Sequence, residues 1–228
     1  FPCGFKTECS YAEDQFGVIR RANVLKQEKY WKRDGWVEHP LPIYPQQNFV
    51  DVNDGSKGLA ILNRNLTEYE IIGEKESIIA ITLFRSVGAV GRPDLVIRPG
   101  RASGMEVPTP NALMHRKLEF DYAVYPHAGT FDDVAYYAAL YNAPMRAVQT
   151  DRHEGIDMQS KSLIKIEPNN IILSCLKKAE REDALILRMF NGGSEPIQGG
   201  KLWLSDKFKY AQIVNLNEEL VEPTELKT

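Results

Sequence analysis

The chain has 228 residues, with 28 basic and 31 acidic side chains and a formal charge of −3. That balance leaves no basic stripe and argues against a nucleic-acid partner. A 43% hydrophobic fraction suffices for a core without help from metal or disulfides, and a mean hydropathy of −0.35 with no long apolar run excludes a transmembrane helix. The three cysteines, Cys3, Cys9 and Cys175, are too few for a disulfide framework and predict a reducing, cytoplasmic compartment. The chain opens at Phe1 rather than Met, shows no signal peptide, and reads as an excised piece of something larger.

The first stretch, 1–47, reads as largely irregular. Gly17–Arg21 is its one strand, followed by a charged run from Lys26 to Arg33. Pro40, Pro42 and Pro45 remove donors and fix φ, so this piece is expected to run extended, with Trp31 and Trp36 pinning it to a core. Phe49–Val52, Gly58–Leu62 and Tyr69–Ile72 are short β-rich runs, and Asn53–Gly55 between the first two is a tight-turn signal. Ser77–Ser86 is apolar at both parities, the pattern of a central strand covered on both faces. A long loop with four prolines, Gly88–Pro110, then leads to Lys117–Tyr125. There Leu118, Phe120, Tyr122 and Val124 alternate with polar residues and predict a half-buried strand with those four facing inward.

One helix follows, capped by Thr130, with Asp132 and Asp133 in its first turn, Val134, Tyr137, Ala138 and Tyr141 on one face, and Pro144 as its stop. After a polar linker at Asp151–Gln159 come Ser162–Glu167, Asn170–Leu176, Ala184–Phe190, Lys201–Leu204 and Tyr210–Leu216, separated by turn signals. The regular spacing of these five runs reads as a second, smaller β-sandwich. The expected fold is therefore all-β with one short helix: a partial large antiparallel β-sandwich over residues 1–155 and a smaller sandwich over 156–228.

Chemistry is sparse. Among the carboxylates Asp51, Asp54, Glu68, Glu70 and Asp121, the first two read as turn caps, and Glu68 and Glu70 as a solvated strand face. His39, His115, His127 and His153 are scattered, and the cysteines form no C-x-x-C pair, so no metal site is expected from this chain. Cys175 reads as a buried inert thiol, whereas Cys3 and Cys9 could pair. No nucleophile elbow, phosphate loop or dinucleotide fingerprint is present. Arg92, Arg98 and Arg101 are more interesting, because Arg98-Pro99-Gly100-Arg101 sets two guanidinium groups on a stiff turn. That arrangement suits a carboxylate or phosphate, or an ion pair with a neighbouring domain or subunit. Asn65-Leu66-Thr67 matches a glycosylation acceptor.

Several blocks resemble the C-terminal part of glycoside hydrolase family 38, in its bacterial α-mannosidase and mannosylglycerate hydrolase-like branch. They are FPCGFKTE at the start, IYPQQNFV (Ile43–Val50), FVDVNDGSKGLAILN (Phe49–Asn63), EYEIIGE (Glu68–Glu74), ITLFRSVG (Ile81–Gly88), RPGRASG (Arg98–Gly104), VPTP (Val107–Pro110) and EFDYAVYPHAG (Glu119–Gly129). Near the end, LILRMFN (Leu185–Asn191) and IVNLNEE (Ile213–Glu219) are similar to the family's last small sandwich. The resemblance implies a supersandwich of galactose-mutarotase type, beginning after its first strands and ending short of the family's last one. It implies a retaining, zinc-dependent enzyme acting on a mannoside, with zinc, nucleophile and acid on an N-terminal catalytic domain absent from this chain, so no catalytic residue and no metal ligand is expected here. Eukaryotic members carry an Asp-Arg-Arg pattern near the substrate where this chain reads Asn63-Arg64-Asn65, which makes Arg64 and Asn65 the candidate substrate-binding residues. The partners implied are the chain's own N-terminal catalytic domain and the mannoside, with a homodimer contact through the arginine loop as a further option. A free-standing carbohydrate-binding module is the alternative.

Overall fold

The computed structural model describes residues 1–154, 161–205 and 210–222, and the expected domain boundary at 155/156 lies outside them. Strands β1 (Cys9–Asp14), β2 (Gly17–Ala22), β3 (Ile43–Pro45), β4 (Phe49–Asn53), β5 (Lys57–Asn63), β6 (Glu68–Ile72) and β7 (Ile78–Ile81) occupy the first third of the chain. The loop between Gly88 and Pro110 contains two short ladders, β8 (Ala89–Val90) with β11 (Val107–Pro108), and β9 (Asp94–Leu95) with β10 (Arg98–Pro99). Strand β12 (Tyr122–Ala128) and helix α1 (Val134–Asn142) complete the larger part. β13 (Ile164–Glu167), β14 (Ile171–Lys178), β15 (Leu185–Asn191), β16 (Lys201–Leu204), β17 (Ile213–Val214) and β18 (Leu220–Glu222) form the smaller one.

One antiparallel sheet runs β12-β5-β4-β1-β2 and a second runs β3-β6-β7. They pack face to face. Val50, Val52 and Ile61 of the first sheet meet Tyr69, Ile71 and Ile79 of the second in a largely apolar layer, in which the Tyr69 hydroxyl is hydrogen-bonded at 2.9 Å to the buried Ser10 hydroxyl of β1. Because side chains alternate along a strand, Phe49, Ala60 and Leu62 point to the opposite face. There Phe131, Val134, Ala135 and Ala138, from the start of α1, and Ile172 of β14 cover them. β4 and β5 are therefore buried on both sides. Phe131 packs at a ring distance of 4.6 Å on Tyr11 of β1, which adds an aromatic contact to that layer.

The smaller part pairs β13 with β16, β14 with β15 and β17 with β18, all antiparallel. It meets the larger part closely. A Cβ built on Gly192 would lie 2.7 Å from Ala135 Cβ and 2.9 Å from Ile172 Cγ1, so only glycine allows α1 and β14 to approach this near. Asp132 Oδ1 also accepts hydrogen bonds from Ser194 N at 2.8 Å and from Ser194 Oγ at 2.9 Å.

Several expectations need correction. Ser77–Ser86 is not a central strand: only Ile78–Ile81 is extended, at the edge of the three-stranded sheet, and Leu83 and Phe84 are exposed. The strand expected at Lys117–Tyr125 starts five residues later and has the opposite phase. Tyr122 and Val124 stay 45% and 47% exposed, while Ala123, Tyr125 and His127 turn toward the covered face. The apolar alternation at Leu118 and Phe120 belongs to the preceding connection, and carrying it into the strand shifts every side chain to the wrong face. Thr130 does not cap α1; its hydroxyl donates to Asp132, and Asp133 holds the cap position without a capping bond from its side chain, which accepts Tyr125 Oη instead. Trp36 is exposed rather than pinned, and Trp31 stacks on His39 at 5.2 Å instead of entering a core. Cys175 is only half-buried, and all three cysteines are free, so Cys3 and Cys9 do not pair.

Candidate functional site: a polar cleft at the Asn65 turn

The β5–β6 connection is where the resemblance placed its candidate residues. Asn63, fully buried, accepts Leu66 N through Oδ1 at 2.9 Å, which closes a turn. Asn65 sits in that turn at φ 62°, a left-handed conformation that asparagine tolerates better than most side chains. The two candidates diverge. Arg64 points toward α1: its Nη2 donates to the Tyr141 carbonyl at 2.7 Å and its guanidinium lies 4.4 Å from the Tyr141 ring centroid. Asp121 lies 3.7 Å from Nη1. Arg64 therefore clamps the end of the helix, aided by Asn142 Nδ2, which donates to the Asn63 carbonyl at 3.0 Å. Asn65 instead lines a cleft of 750 Å³.

That cleft lies between the β1–β2 turn, the β3–β4 connection, the Asn65–Glu68 turn and the segment after β7. Its floor is polar and buried. Gln46 is 3% exposed; its Nε2 donates to the Leu66 carbonyl at 2.7 Å, and its Oε1 has no partner among the described residues. Glu13, also buried, accepts Asn48 N at 3.0 Å. Burial pushes the Glu13 carboxyl above the ordinary carboxylate range, and the Asn48 bond only partly offsets this. Glu68 accepts Thr82 Oγ1 at 2.7 Å and pairs with Arg85, so it is not the bare solvated carboxylate the sequence suggested. Tyr44 and Phe84 supply apolar ring surface beside these carboxylates and amides. Such a mixture suits a polyhydroxylated ligand, whose hydroxyls both donate and accept while its C–H face meets aromatic carbon.

A second polar cluster escaped the sequence reading. Asp51, expected to cap a turn, is fully buried in β4. Its Oδ2 accepts His127 Nε2 at 2.7 Å, with the two side chains 0% and 2% exposed. Asn53 Nδ2 donates to the other oxygen. The imidazole reaches across β5 by lying over Gly58, which is paired with His127 on one side and with Asn53 on the other. Burial alone would lower the His127 pKa, but the Asp51 hydrogen bond and charge outweigh it and hold the ring above its ordinary value. The clue in the sequence was a glycine inside a strand, which often marks a close approach. Asp54, by contrast, caps as expected. Its carboxylate collects Ser56 and Lys57 backbone N–H groups and is lowered to about 2.

Among the described residues no three His, Cys, Asp or Glu side chains converge as a metal site. The nearest approach to a donor set is the Asp51–His127 pair, whose hydrogen bonds and burial leave no ligand atom free. The described residues do not fit zinc. No helix of the described residues is long and apolar enough to cross a membrane.

Two family models match the chain: the glycosyl hydrolases family 38 C-terminal domain over residues 1–94, and the glycosyl hydrolases family 38 C-terminal beta sandwich domain over residues 170–228. The two-sheet body with its smaller strand set thus corresponds to the C-terminal region that these two models describe. The chain belongs to family 38. A putative mannosylglycerate hydrolase of Halalkalibacterium halodurans is 26% identical over 216 residues, which is 93% of this chain and 21% of that protein. Alpha-mannosidase 2C1 of Homo sapiens is 24% identical over 194 residues, 83% of this chain and 16% of its own length. The crystal structure of an alpha-mannosidase from Enterococcus faecalis superposes with a TM-score of 0.77 at 28% identity, over 97% of this chain and 23% of that one. This chain therefore spans about a fifth of the length of the relatives it matches.

Proposed function

We propose that this chain is the C-terminal, non-catalytic region of a retaining, zinc-dependent α-mannosidase, which props up and partly rims an active site housed in the polypeptide upstream. The observation that carries this reading is the continuous likeness to an alpha-mannosidase over 97% of the chain, at 23% of the relative's length. The chain's own chemistry agrees. Its buried Asp–His pair is sealed from solvent, and the cleft carboxylates are tied to Asn48, Thr82 and Arg85 rather than poised as an acid and a nucleophile. The rim is the Asn65 cleft, with Asn65 as its substrate-facing residue and Arg64 fixing the turn that presents it. Zinc in this reading is held by the upstream domain.

The test uses an aryl α-mannoside with added zinc. The 228-residue chain alone should show no turnover, and the full-length protein should hydrolyse the substrate. Turnover by the chain alone refutes the placement of catalysis upstream, and inactivity of the full-length protein on every α-mannoside refutes the activity itself. Asn65→Gly, which keeps the left-handed backbone and deletes the amide, should raise KM in the full-length enzyme by about tenfold, the loss of roughly one hydrogen bond.

A further inference from the structure

The loop arginines Arg92 and Arg98, open on the sequence to a neighbouring domain or subunit, pair instead with Asp94 and Glu38 of this chain. Charges are matched in the same way for two of the three carboxylates that line the Asn65 cleft. Asp14 lies 3.6 Å from Arg21, and Glu68 pairs with Arg85. Glu13 is the exception. It is 6% exposed, more buried than the other two, and among the described residues no cation pairs with it. Its hydrogen bonding comes from Asn48, an uncharged residue whose N–H engages Oε2. Gln46 lines the same cleft, almost wholly buried, with Nε2 spent on the Leu66 carbonyl and Oε1 without a partner among the described residues. The floor thus holds a buried carboxylate without a counter-charge and a buried amide oxygen without a donor. Each costs folding free energy as it stands.

We propose that the floor of this cleft is a subsite for a primary ammonium group, with Glu13 as its counter-charge and Gln46 Oε1 as an acceptor for one of its N–H bonds. Both floor groups accept, so the partner they lack is a donor. A hydroxyl brings one proton and no charge, whereas an ammonium brings three and neutralises Glu13. An anion finds no open cation in the cleft, because Glu68 already holds Arg85. A guanidinium needs both oxygens of a carboxylate as a fork, and Asn48 N already engages one of them. The compact point charge of an ammonium has no such requirement. The walls also favour a cation. Tyr44 carries the Arg21 guanidinium 5.3 Å from its ring centroid, and Phe84, half exposed, presents a second aromatic surface. The inference rests on the proposed function only for the place of this cleft at an active-site rim. The ammonium subsite itself is a property of the chain, and its test involves no turnover.

The experiment is NMR titration of the 228-residue chain with ethylammonium, guanidinium and ethanol, at neutral pH and constant ionic strength, following the Glu13 carboxyl and the Gln46 side-chain amide. Ethylammonium should bind in the millimolar range and move both signals, guanidinium should bind more weakly, and ethanol, the uncharged isostere, should move neither. With ethylammonium present the Glu13 carboxyl should titrate at lower pH than without it, a change that needs no variant to read. Glu13→Gln keeps an acceptor for Asn48 N and should weaken ethylammonium by about tenfold, the loss of one charged hydrogen bond. Glu68→Gln should change the affinity by less than about twofold, because Glu68 already has its own cation. In the full-length protein, ethylammonium binding identifies the ligand as a free amine, and a Glu13 carboxyl that already titrates low and excludes ethylammonium identifies it as a lysine of the upstream polypeptide. No ethylammonium binding by the chain, an unmoved Glu13 titration, or guanidinium binding tighter than ethylammonium overturns the proposal. Equal losses from Glu13→Gln and Glu68→Gln overturn it too, because that is the behaviour of a diffuse acidic surface.

Discussion

Replacing Gly58 by alanine tests the buried Asp51–His127 pair through a residue that belongs to neither partner. Alanine in a strand ordinarily gains stability over glycine, by roughly 0.5–1 kcal/mol. Here the added Cβ would lie 2.2 Å from His127 Cε1 and 2.4 Å from its Nε2, so the ring must leave its place over β5. Asn53 Cβ, at 2.9 Å, blocks the other side. Displacing the ring strands a fully buried Asp51 with Asn53 as its remaining side-chain donor. Removing one partner of a buried pair costs about 3–5 kcal/mol. After the strand gain is subtracted, the net loss should be about 2–4 kcal/mol, or roughly 5–15 °C in Tm for a chain of this size. The assay is urea unfolding of the wild type, Gly58→Ala, His127→Ala and the double variant. Once His127→Ala has already removed the ring, Gly58→Ala should cost much less than in the wild type, because the methyl group enters vacated space and Asn53 Cβ is the close contact that remains. Additive costs in the double variant, or a Gly58→Ala loss below ~1 kcal/mol, would show that the imidazole is not wedged where the geometry puts it.

Three further outcomes follow from the same contacts. The His127 pKa is raised in the folded state, so its stabilising contribution is complete below the unfolded value of about 6.5 and is lost as pH rises through the folded value. The gap in urea midpoint between wild type and His127→Gln should therefore narrow from pH 6 upward, and a gap that widens with pH contradicts the assignment. Arg64→Ala removes a hydrogen bond and a ring contact at the C-terminal end of α1 and should cost about 1 kcal/mol, discounted for the 37% exposure of the side chain. Hydrogen exchange should then speed up at the end of α1 and not in β4. Gly192→Ala should cost about 1–3 kcal/mol by overpacking against Ala135 and Ile172, and should loosen the smaller strand set before the five-stranded sheet.

The strands whose pairing is local were legible from the sequence. Asn53–Gly55 marks the β4–β5 hairpin because Asp54 can collect the turn's N–H groups and Gly55, at φ 87°, can take a left-handed backbone. Helix α1 was legible from its stop before Pro144 but not from its start, since Thr130 does not cap it and Asp132 and Asp133 precede its first turn, and Val134, Ala135 and Ala138, rather than the tyrosines, form its buried face. The strand register of β12 was not. Its covered residues are Ala123, Tyr125 and His127, a set less apolar than the exposed Tyr122 and Val124, and only the pairing to β5 decides which parity faces in. Asp51 failed for the same reason, since its partner lies 76 residues away and no local pattern announces it. The Asn65 position came from resemblance alone. The cleft beneath it, with Gln46 and Glu13 at its floor, is assembled by segments that are remote in sequence.

The two faces of the five-stranded sheet are held by different physics, and the difference bears on how a scaffold of this kind works. The face toward β6 and β7 is a mainly apolar layer with one buried hydrogen bond across it, Ser10 Oγ with Tyr69 Oη at 2.9 Å, and hydrophobic contact is otherwise non-directional. The face toward α1 carries directional clasps as well: Asp51 with His127, Tyr125 Oη donating to Asp133 at 2.8 Å, Asp132 with Ser194, and Arg64 with the Tyr141 carbonyl. The Asp51–His127 clasp ties β12 to β4, and each of the others fixes one end of α1 or one approach of the smaller strand set. The last of them, with Asn142 on the Asn63 carbonyl, also fixes the turn that carries Asn65. The helix position and the cleft rim are thus set by one hydrogen-bonded chain of residues. A substitution at the far side of α1 should move Asn65 before it unfolds anything, so that in the full-length enzyme KM would respond ahead of stability.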